Sequence, residues 1–259
     1  VNKNLYENVY TRTQSYWQGT MLSSFKRSAS SLEKQLLAPF PDAVDPDIMD
    51  GSFRLPVTDA SGRDRRVQRA AFDLLTEAGY TIKNRQLVDE NGRVLAFEVM
   101  TQNEGQEKLA IAYQRALAPL GIKMTIRTVD DAQYQQRTQK FDYDMIIKSY
   151  PSSLSPGIEQ RGRWSSMAKD LPGSFNFAGV ADPAVDAMID AMLNAREQEE
   201  FQAAVRAFDR VLLSGYYVVP TYHLGEAYLA HWDRVTGPSG MTPLYGYYLP
   251  SWWDKSAGK

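Results

Sequence analysis

The sequence contains no cysteine and only two histidines, His223 and His231, in 259 residues. Disulfides, zinc–thiolate sites and thiol nucleophiles are therefore excluded, while the redox compartment stays open. Neither HExxH nor another paired-histidine metal spacing occurs, and GxSxG and the phosphate-binding glycine loops are missing too. A lone histidine on a strand, as His223 is here, reads as a satisfied polar residue. Serines are plentiful, but none has a base at a recognisable spacing. Asp89, Asn91 and Gly92 match a calcium loop only if the remaining ligand positions are ignored. No catalytic residue, metal site or cofactor is read from the chain, and by elimination it favours binding over covalent chemistry. No apolar run approaches the roughly 20 residues of a membrane span. A net charge of -2 gives no electrostatic footprint for nucleic acid or an anionic membrane.

What is present is an ordinary globular composition, 43% hydrophobic and 23% charged. It carries 15 Tyr, 5 Trp and 10 Phe, which suit a large core or a ligand cleft. The length allows one large domain or two modest ones. The start, Val1-Asn2-Lys3-Asn4, has neither an initiator Met nor signal-peptide architecture. Leu5 and Val9, and Tyr6 and Tyr10, stand at i, i+4 and predict a helix from Asn2 to about Tyr16. The expectation is a chain that begins inside a longer protein.

Residues 18–62 are poor in periodicity and rich in Ser and Pro, with one short helix predicted around Leu32 to Leu37. Such a long connection is a covering strap or a functional segment. The basic run Arg63 to Arg69 could bind phosphate, but it reads better as the solvated face of a helix starting near Asp64, with Val67, Ala70, Ala71 and Leu74 inward and Gly79 as its stop. Asp89-Glu90-Asn91-Gly92 between apolar runs predicts a hairpin whose central residues both take positive φ. A helix from Glu104 to Leu120, a strand from Ile122 to Val129, an Asp130-capped helix to Lys140 and a strand from Tyr143 to Tyr150 make a βαβ core with parallel pairing. Asp182-Pro183 opens a helix with Val185, Met188, Ile189 and Met192 inward, and a second helix runs from Glu197 to Leu213. Tyr216 to Tyr222 predicts a buried strand with Pro220 at an edge or bend, and Ala227 to Ala230 a further strand. From His231 the chain is aromatic, and that tail needs a surface to bury itself against.

The central stretch is FDYDMIIKSYPSSLSPGIEQRGR, residues 141–163. Its apolar run ends at Pro151 among Ser149, Ser152, Ser153 and Ser155, and leads to Glu159, Gln160, Arg161, Arg163 and Trp164. A loop leaving the carboxyl end of a strand is where an open α/β sheet binds ligands. The rival reading is a surface turn.

This run, with PGSFNFAGVADPAVDAMID, AFDRVLLSGYYVVPTYH, AHWDRVTGP and PLYGYYLPSWWD, resembles the C-terminal half of the peptide-binding proteins of ABC importers, solute-binding protein family 5, and within them the YejA-like branch. The resemblance covers nearly the whole chain. It implies an α/β fold of the periplasmic-binding-protein type II, mainly the C-terminal lobe, with a mixed sheet flanked by helices. Residues 1–230 would form that lobe and 231–259 a return segment packing on an N-terminal lobe outside this chain. It implies a periplasmic receptor without catalysis, whose partners are a peptide ligand, the other lobe and the importer's membrane subunits. Tyr150, Ser152, Ser153, Ser155, Glu159, Arg161, Trp164 and Asn176 are the candidate ligand contacts. Many relatives in the wider family carry an aspartate just after the central strand that pairs with the peptide amine. Here the region reads Tyr150-Pro151-Ser152-Ser153, so Glu159 is the nearest replacement and Arg161 the candidate for a carboxylate; alternatively both pair within the protein and shape the loop. Rival functions are a binder of opines, sugars or metal chelates, and a hydrolase using Ser155 and Glu159.

Overall fold

The computed structural model describes residues 6–61, 63–151, 153–225, 228–238 and 248–256. The chain enters this region through a short strand, β1 (Thr11–Arg12). The helix expected to reach Tyr16 does not run through, because Glu7 and Asn8 take left-handed φ of 50° and 64°. Tyr6 and Tyr10 gather instead on Tyr222, with ring centroids 4.9 and 4.5 Å from it. The strap that follows carries α1 (Ser31–Leu37), opened by a capping box between Ser30 and Glu33. It also carries α2 (Pro46–Asp50), which ends at Gly51. A Cβ on Gly51 (φ +80°) would lie 2.5 Å from the Arg27 carbonyl carbon, so glycine is what lets two strap segments touch.

α3 (Arg65–Glu77) is capped by Asp64. It stops at Gly79 as expected, with Tyr80 N–H donating to Leu75 O at 2.9 Å. Its inner face is rotated from the expected one: Val67, Ala71, Phe72 and Leu75 are half-buried, while Leu74 is exposed. The face is chosen by what the helix packs on, the turn at 118–120. The arginines of the basic run face solvent, and Arg69 pairs with Asp73 at 2.9 Å. β2 (Thr81–Lys83) and β3 (Gln86–Val88) form a hairpin through Asn84 and Arg85, both with positive φ. The Asp89–Gly92 turn is present and brings Val88 onto Val94. Only Gly92 in it has positive φ. The Asp89 carboxylate shapes the rest by accepting the N–H groups of Asn91 and Arg93.

β4 (Ala96–Thr101), α4 (Glu104–Leu117), β5 (Lys123–Thr128), α5 (Asp131–Gln139) and β6 (Met145–Ile146) build the expected βαβαβ core. Its sheet has the order β5–β4–β6 and is parallel throughout; the antiparallel pairs stand apart as two-stranded ribbons. β6 is shorter than the expected 143–150, pairing with β4 only at Val99 and Met100. Just before it, Asp144 rather than a main-chain carbonyl accepts the N–H of Glu98.

α6 (Glu159–Trp164), α7 (Pro183–Asn194) and α8 (Gln198–Ser214) follow. Val185, Met188, Ile189 and Met192 of α7 are buried against Ala204, Val205, Phe208 and Val211 of α8, and Trp17, Leu22, Leu37 and Ile48 from the strap join the same core. The strand expected over 216–222 is largely absent. Tyr216 leaves α8 with φ 48°, Tyr216 and Val219 are exposed, and Pro220 has no N–H to give. Only β7 (Tyr222–His223) pairs, antiparallel to β1, where His223 Nδ1 meets Thr13 Oγ1 at 3.0 Å. The described part of 227–230 is not a strand either; Tyr228 and Leu229 are exposed. β8 (Val235–Thr236) and β9 (Trp253–Asp254) pair antiparallel. Tyr245 and Tyr247 of the aromatic tail lie outside the described residues.

Two consecutive charges on α8 bind the strap to this core. Asp209 is fully buried and accepts four hydrogen bonds: Ser15 Oγ at 2.8 Å, Tyr16 N–H at 2.9 Å, Ser24 N–H at 2.8 Å and Ser24 Oγ at 2.6 Å. Burial raises its pKa against the pull of those donors. Arg210, also fully buried, donates to Glu33 Oε2 at 2.7 Å, to Arg27 O at 2.7 Å and to the carbonyl of Ile48. Removing the cation leaves the buried Glu33 carboxyl with its capping-box bond from Ser30 N–H and without its ion-pair partner. Arg210→Met is expected to cost about 3–5 kcal/mol of unfolding free energy in urea titration; a loss below about 1 kcal/mol would show that Arg210 does not hold the strap.

Candidate ligand-binding site

From the carboxyl end of β6 the chain runs irregularly over 147–158 and re-forms as α6. The loop is held at its start by Tyr134 Oη donating to Ile147 O at 2.9 Å. Near its middle Arg163 Nη1 donates to Pro151 O at 3.0 Å. At its end Gly157 N–H bridges both oxygens of Glu159 at 3.0 Å. Tyr150 lies flat on Trp164, centroids 4.9 Å apart and planes 26° apart. Tyr16 meets Trp164 edge-on at 5.2 Å, so the strap, the loop and α6 share one aromatic stack. Burial pushes the Tyr150 hydroxyl well above its ordinary pKa; Tyr143 adds to the rise and Arg163 opposes it. It stays a neutral donor at any physiological pH. Lys148 sits over the rings of Tyr134 and Phe177 at 4.6 and 5.0 Å.

The sequence-predicted residues divide in two. Tyr150 and Ser153 are half-buried, and Ser155 and Glu159 exposed, along one surface; Ser153 Oγ accepts the N–H of Ser155. Ser152 lies outside the described residues. Arg161 points away and pairs with Asp190 of α7 at 2.7 Å. Trp164 is 2% exposed, its faces covered by Tyr150 and Tyr16, and serves the surface by fixing Tyr150. Asn176 is fully buried: its amide donates to Ser165 O and Val180 O and accepts from Val180 N–H, bracketing the turn that leads into α7.

Four residues that were not among the candidate contacts, Ile158, Gly162, Arg163 and Phe175, join Glu159 in the adjoining surface. Ile158, Glu159, Gly162, Arg163 and Phe175 line an open depression of about 300 Å³ beside the loop. Their signal was helical spacing. Once residues 159–164 are an α-helix, Arg161 and Arg163 project about 200° apart and only one can face this depression. No cluster of three or more histidine or carboxylate side chains suited to a metal stands among the described residues. No helix among them is long and apolar enough to cross a membrane.

Comparison with known proteins places this geometry. The profile of the bacterial extracellular solute-binding proteins, family 5 Middle, matches residues 3–170. The chain belongs to this family. Family 5 solute-binding proteins are a non-enzymatic class. A Brucella melitensis member of similar sequence, named only generically as a binding protein, is 56% identical over 255 residues. The peptidoglycan-binding protein YepA of Agrobacterium fabrum is 50% identical over 254 residues. Each match takes in 98% of this chain and 41% of the relative, so the chain spans well under half the length of these family members. A further Agrobacterium fabrum relative, "Probable peptide-binding protein YejA", is 36% identical over 260 residues, all of this chain and 42% of its own. Among solved structures, the Bacillus subtilis oligopeptide-binding protein AppA in complex with a nonapeptide aligns with TM-score 0.56 at 15% identity, over 90% of this chain and 46% of that one. The mannohexaose-bound oligopeptide-binding protein of Thermotoga maritima aligns with TM-score 0.60 at 16% identity, over 95% and 42%. At such identities the likeness shows the family 5 fold alone.

The clamp of Gly157 on Glu159 has a pH signature. Burial raises the Glu159 carboxyl, but hydrogen bonds from Gly157 and Gln160 and the charge of Arg163 outweigh it and hold it below its ordinary value. Its contribution to stability is therefore present above the ordinary carboxylate range and lost as pH falls through it. Glu159→Gln is expected to melt below wild type at neutral pH, and the gap should close as pH falls below the ordinary carboxylate range. Melting curves at both pH values check this; a constant gap would mean the clamp does not depend on the charge.

Proposed function

We propose that the chain is the C-terminal, ligand-binding lobe of a periplasmic receptor that captures oligopeptides and delivers them to the membrane subunits of an ABC importer. The observation that carries this reading is the loop over 147–158. It leaves the carboxyl edge of a parallel sheet, where open α/β folds take ligands, and it carries a half-buried Tyr150 and Ser153 and an exposed Ser155. A peptide main chain alternates donors and acceptors, and a hydroxyl can answer either. The name of the YejA relative and the nonapeptide in AppA support the same ligand class. The reading calls for no cofactor. In it the ligand lies between this lobe and a second one, which close by a hinge. The exposed Trp232 and Trp253 of the return segment pack on that second lobe.

A second reading, a peptidoglycan fragment, is favoured by the name of the 50% identical relative. The stem peptide of such a fragment would use the same groups, leaving the sugar further out in the cleft. Ligand carried through purification and read by mass spectrometry separates the two. Peptide masses are expected; amino-sugar residues joined to peptide would favour the second reading, and free sugars, opines or metal chelates alone would overturn both.

A further inference from the structure

The basic run over 63–69 has no part in the ligand surface, and the fold does not leave it isolated. Arg12 Nη1 donates to Pro56 O at 3.0 Å and Arg66 Nη2 to Val57 O at 2.8 Å. Arg54 Nη1 donates back to Gly51 O at 2.9 Å. Arg54 and Lys26 both stand over the ring of Phe25, 5.1 and 5.3 Å from its centroid. The irregular segment 51–57 is thus a spine that gathers cations from β1, from the middle of the strap and from the start of α3.

The balance of charge follows this geometry. Residues 11–32 and 51–72 hold eight Arg and Lys against two Asp, in a chain whose net charge is -2. That small net charge conceals a basic surface and an acidic remainder. Both Asp are engaged locally: Asp64 caps α3 and stands 3.6 Å from Arg66, and Asp59 accepts the N–H of Ser61. Asp73 takes up Arg69. Among the described residues no ion pair holds Lys26, Arg54, Arg63 or Arg65, and all four are exposed. Arg206 of α8 extends the surface by donating twice to Met21 O. Burial lowers its pKa, and the charge of Arg27 adds to the fall. Like charges crowded in this way repel unless a counter-charge comes from outside.

We propose that this basic surface, built around segment 51–57 with Lys26, Arg54, Arg63 and Arg65 as its unpaired charges, docks on the headgroups of an anionic phospholipid membrane. The inference goes beyond the receptor reading and does not depend on which solute is bound. Seven of the eight cations are arginines, whose planar forks match phosphate oxygens. Val57 is 72% exposed at the point where Arg66 fastens its carbonyl. An apolar side chain set among cations suits the boundary between headgroups and acyl chains. An acidic protein surface would offer it no partner.

The test is co-sedimentation of the protein with phosphatidylcholine vesicles of which roughly a third of the lipid is phosphatidylglycerol. Vesicles of phosphatidylcholine alone control for the exposed Trp232 and Trp253. Wild type is expected to pellet with the anionic vesicles only, and to be released near ~0.5 M salt, which screens such charges. The triple variant Arg54→Gln, Arg63→Gln, Arg65→Gln is expected to bind them roughly a hundredfold more weakly. The double variant Arg63→Gln, Arg65→Gln keeps the Arg54 bond to Gly51 and should still lose roughly twenty- to thirtyfold, which separates the effect from folding. Lys108→Gln, Arg115→Gln, Lys123→Gln removes as much charge from exposed positions elsewhere and should bind as wild type does. If wild type pellets equally with both kinds of vesicle, the binding is not to the headgroup charge and the proposal fails. If the two triple variants lose binding alike, the attraction is diffuse and no docking surface exists. If wild type stays in the supernatant with anionic vesicles, the membrane is overturned as the partner and an acidic protein takes its place.

Discussion

Everything at the ligand surface depends on two adjacent charges inside α8. Neighbouring residues of a helix point about 100° apart, so Asp209 and Arg210 serve different stretches of the strap. Asp209 collects donors from residues 15–24; Arg210 collects acceptors from residues 27–48. The strap pairs only part of its own backbone, in turns and in α1 and α2, and burying the rest unpaired would be costly. The helix therefore lends the strap the partners that a sheet would have supplied. A buried ion pair is weak evidence for net stability, because desolvation offsets much of the attraction. Its effect here is specificity: only one path of the strap satisfies both charges.

That path decides the position of the loop. Tyr16 donates its backbone N–H to Asp209 and presses its ring edge on Trp164. Trp164 in turn supports Tyr150. A chain of contacts thus runs from the largely buried α8, through the strap and α6, to the loop that leaves the parallel sheet. Loops that bind ligands work when a rigid scaffold fixes them. The long connection, read from the sequence as a covering strap or a functional segment, links α8 to α6 through Tyr16.

The elements legible in the sequence were those whose signal is local. Asp182-Pro183, the Asp64, Asp130 and Gly79 caps and the methionine face of α7 each depend on groups within one or two turns, and the structure places them as read. What failed was whatever depends on a distant partner. The apolar run in 216–222 signals a buried strand but not whether an edge is available to pair with it. Tyr6 and Tyr10 at helical spacing are a tyrosine cluster on β7, since aromatic rings also reach each other across a bend in the chain. Glu33, Asp209 and Arg210 drew no reading from the sequence. No pattern within ten residues of any of them reveals that its partners lie across the fold.

The site was legible as a stretch and not as a set of roles, for the same reason. Reading the part after Tyr150 as loop left the choice among Glu159, Arg161 and Arg163 to chemistry alone, because a loop gives no rule for which side chains share a side. Helix α6 supplies the rule. It sends Arg161 toward α7 and leaves Arg163 beside Gly162, although the two arginines are only two positions apart. Trp164 and Asn176 illustrate the complementary case. Both were chosen for chemistry that a ligand could use, and the fold uses that chemistry itself, one for stacking and one for pairing backbone groups. A group already satisfied inside the protein has little left for a ligand, since binding would have to replace a bond of similar strength. At this surface the fold pairs Arg161 with Asp190 and uses one nitrogen of Arg163 to hold Pro151, while Arg163 also lines the open depression beside the loop.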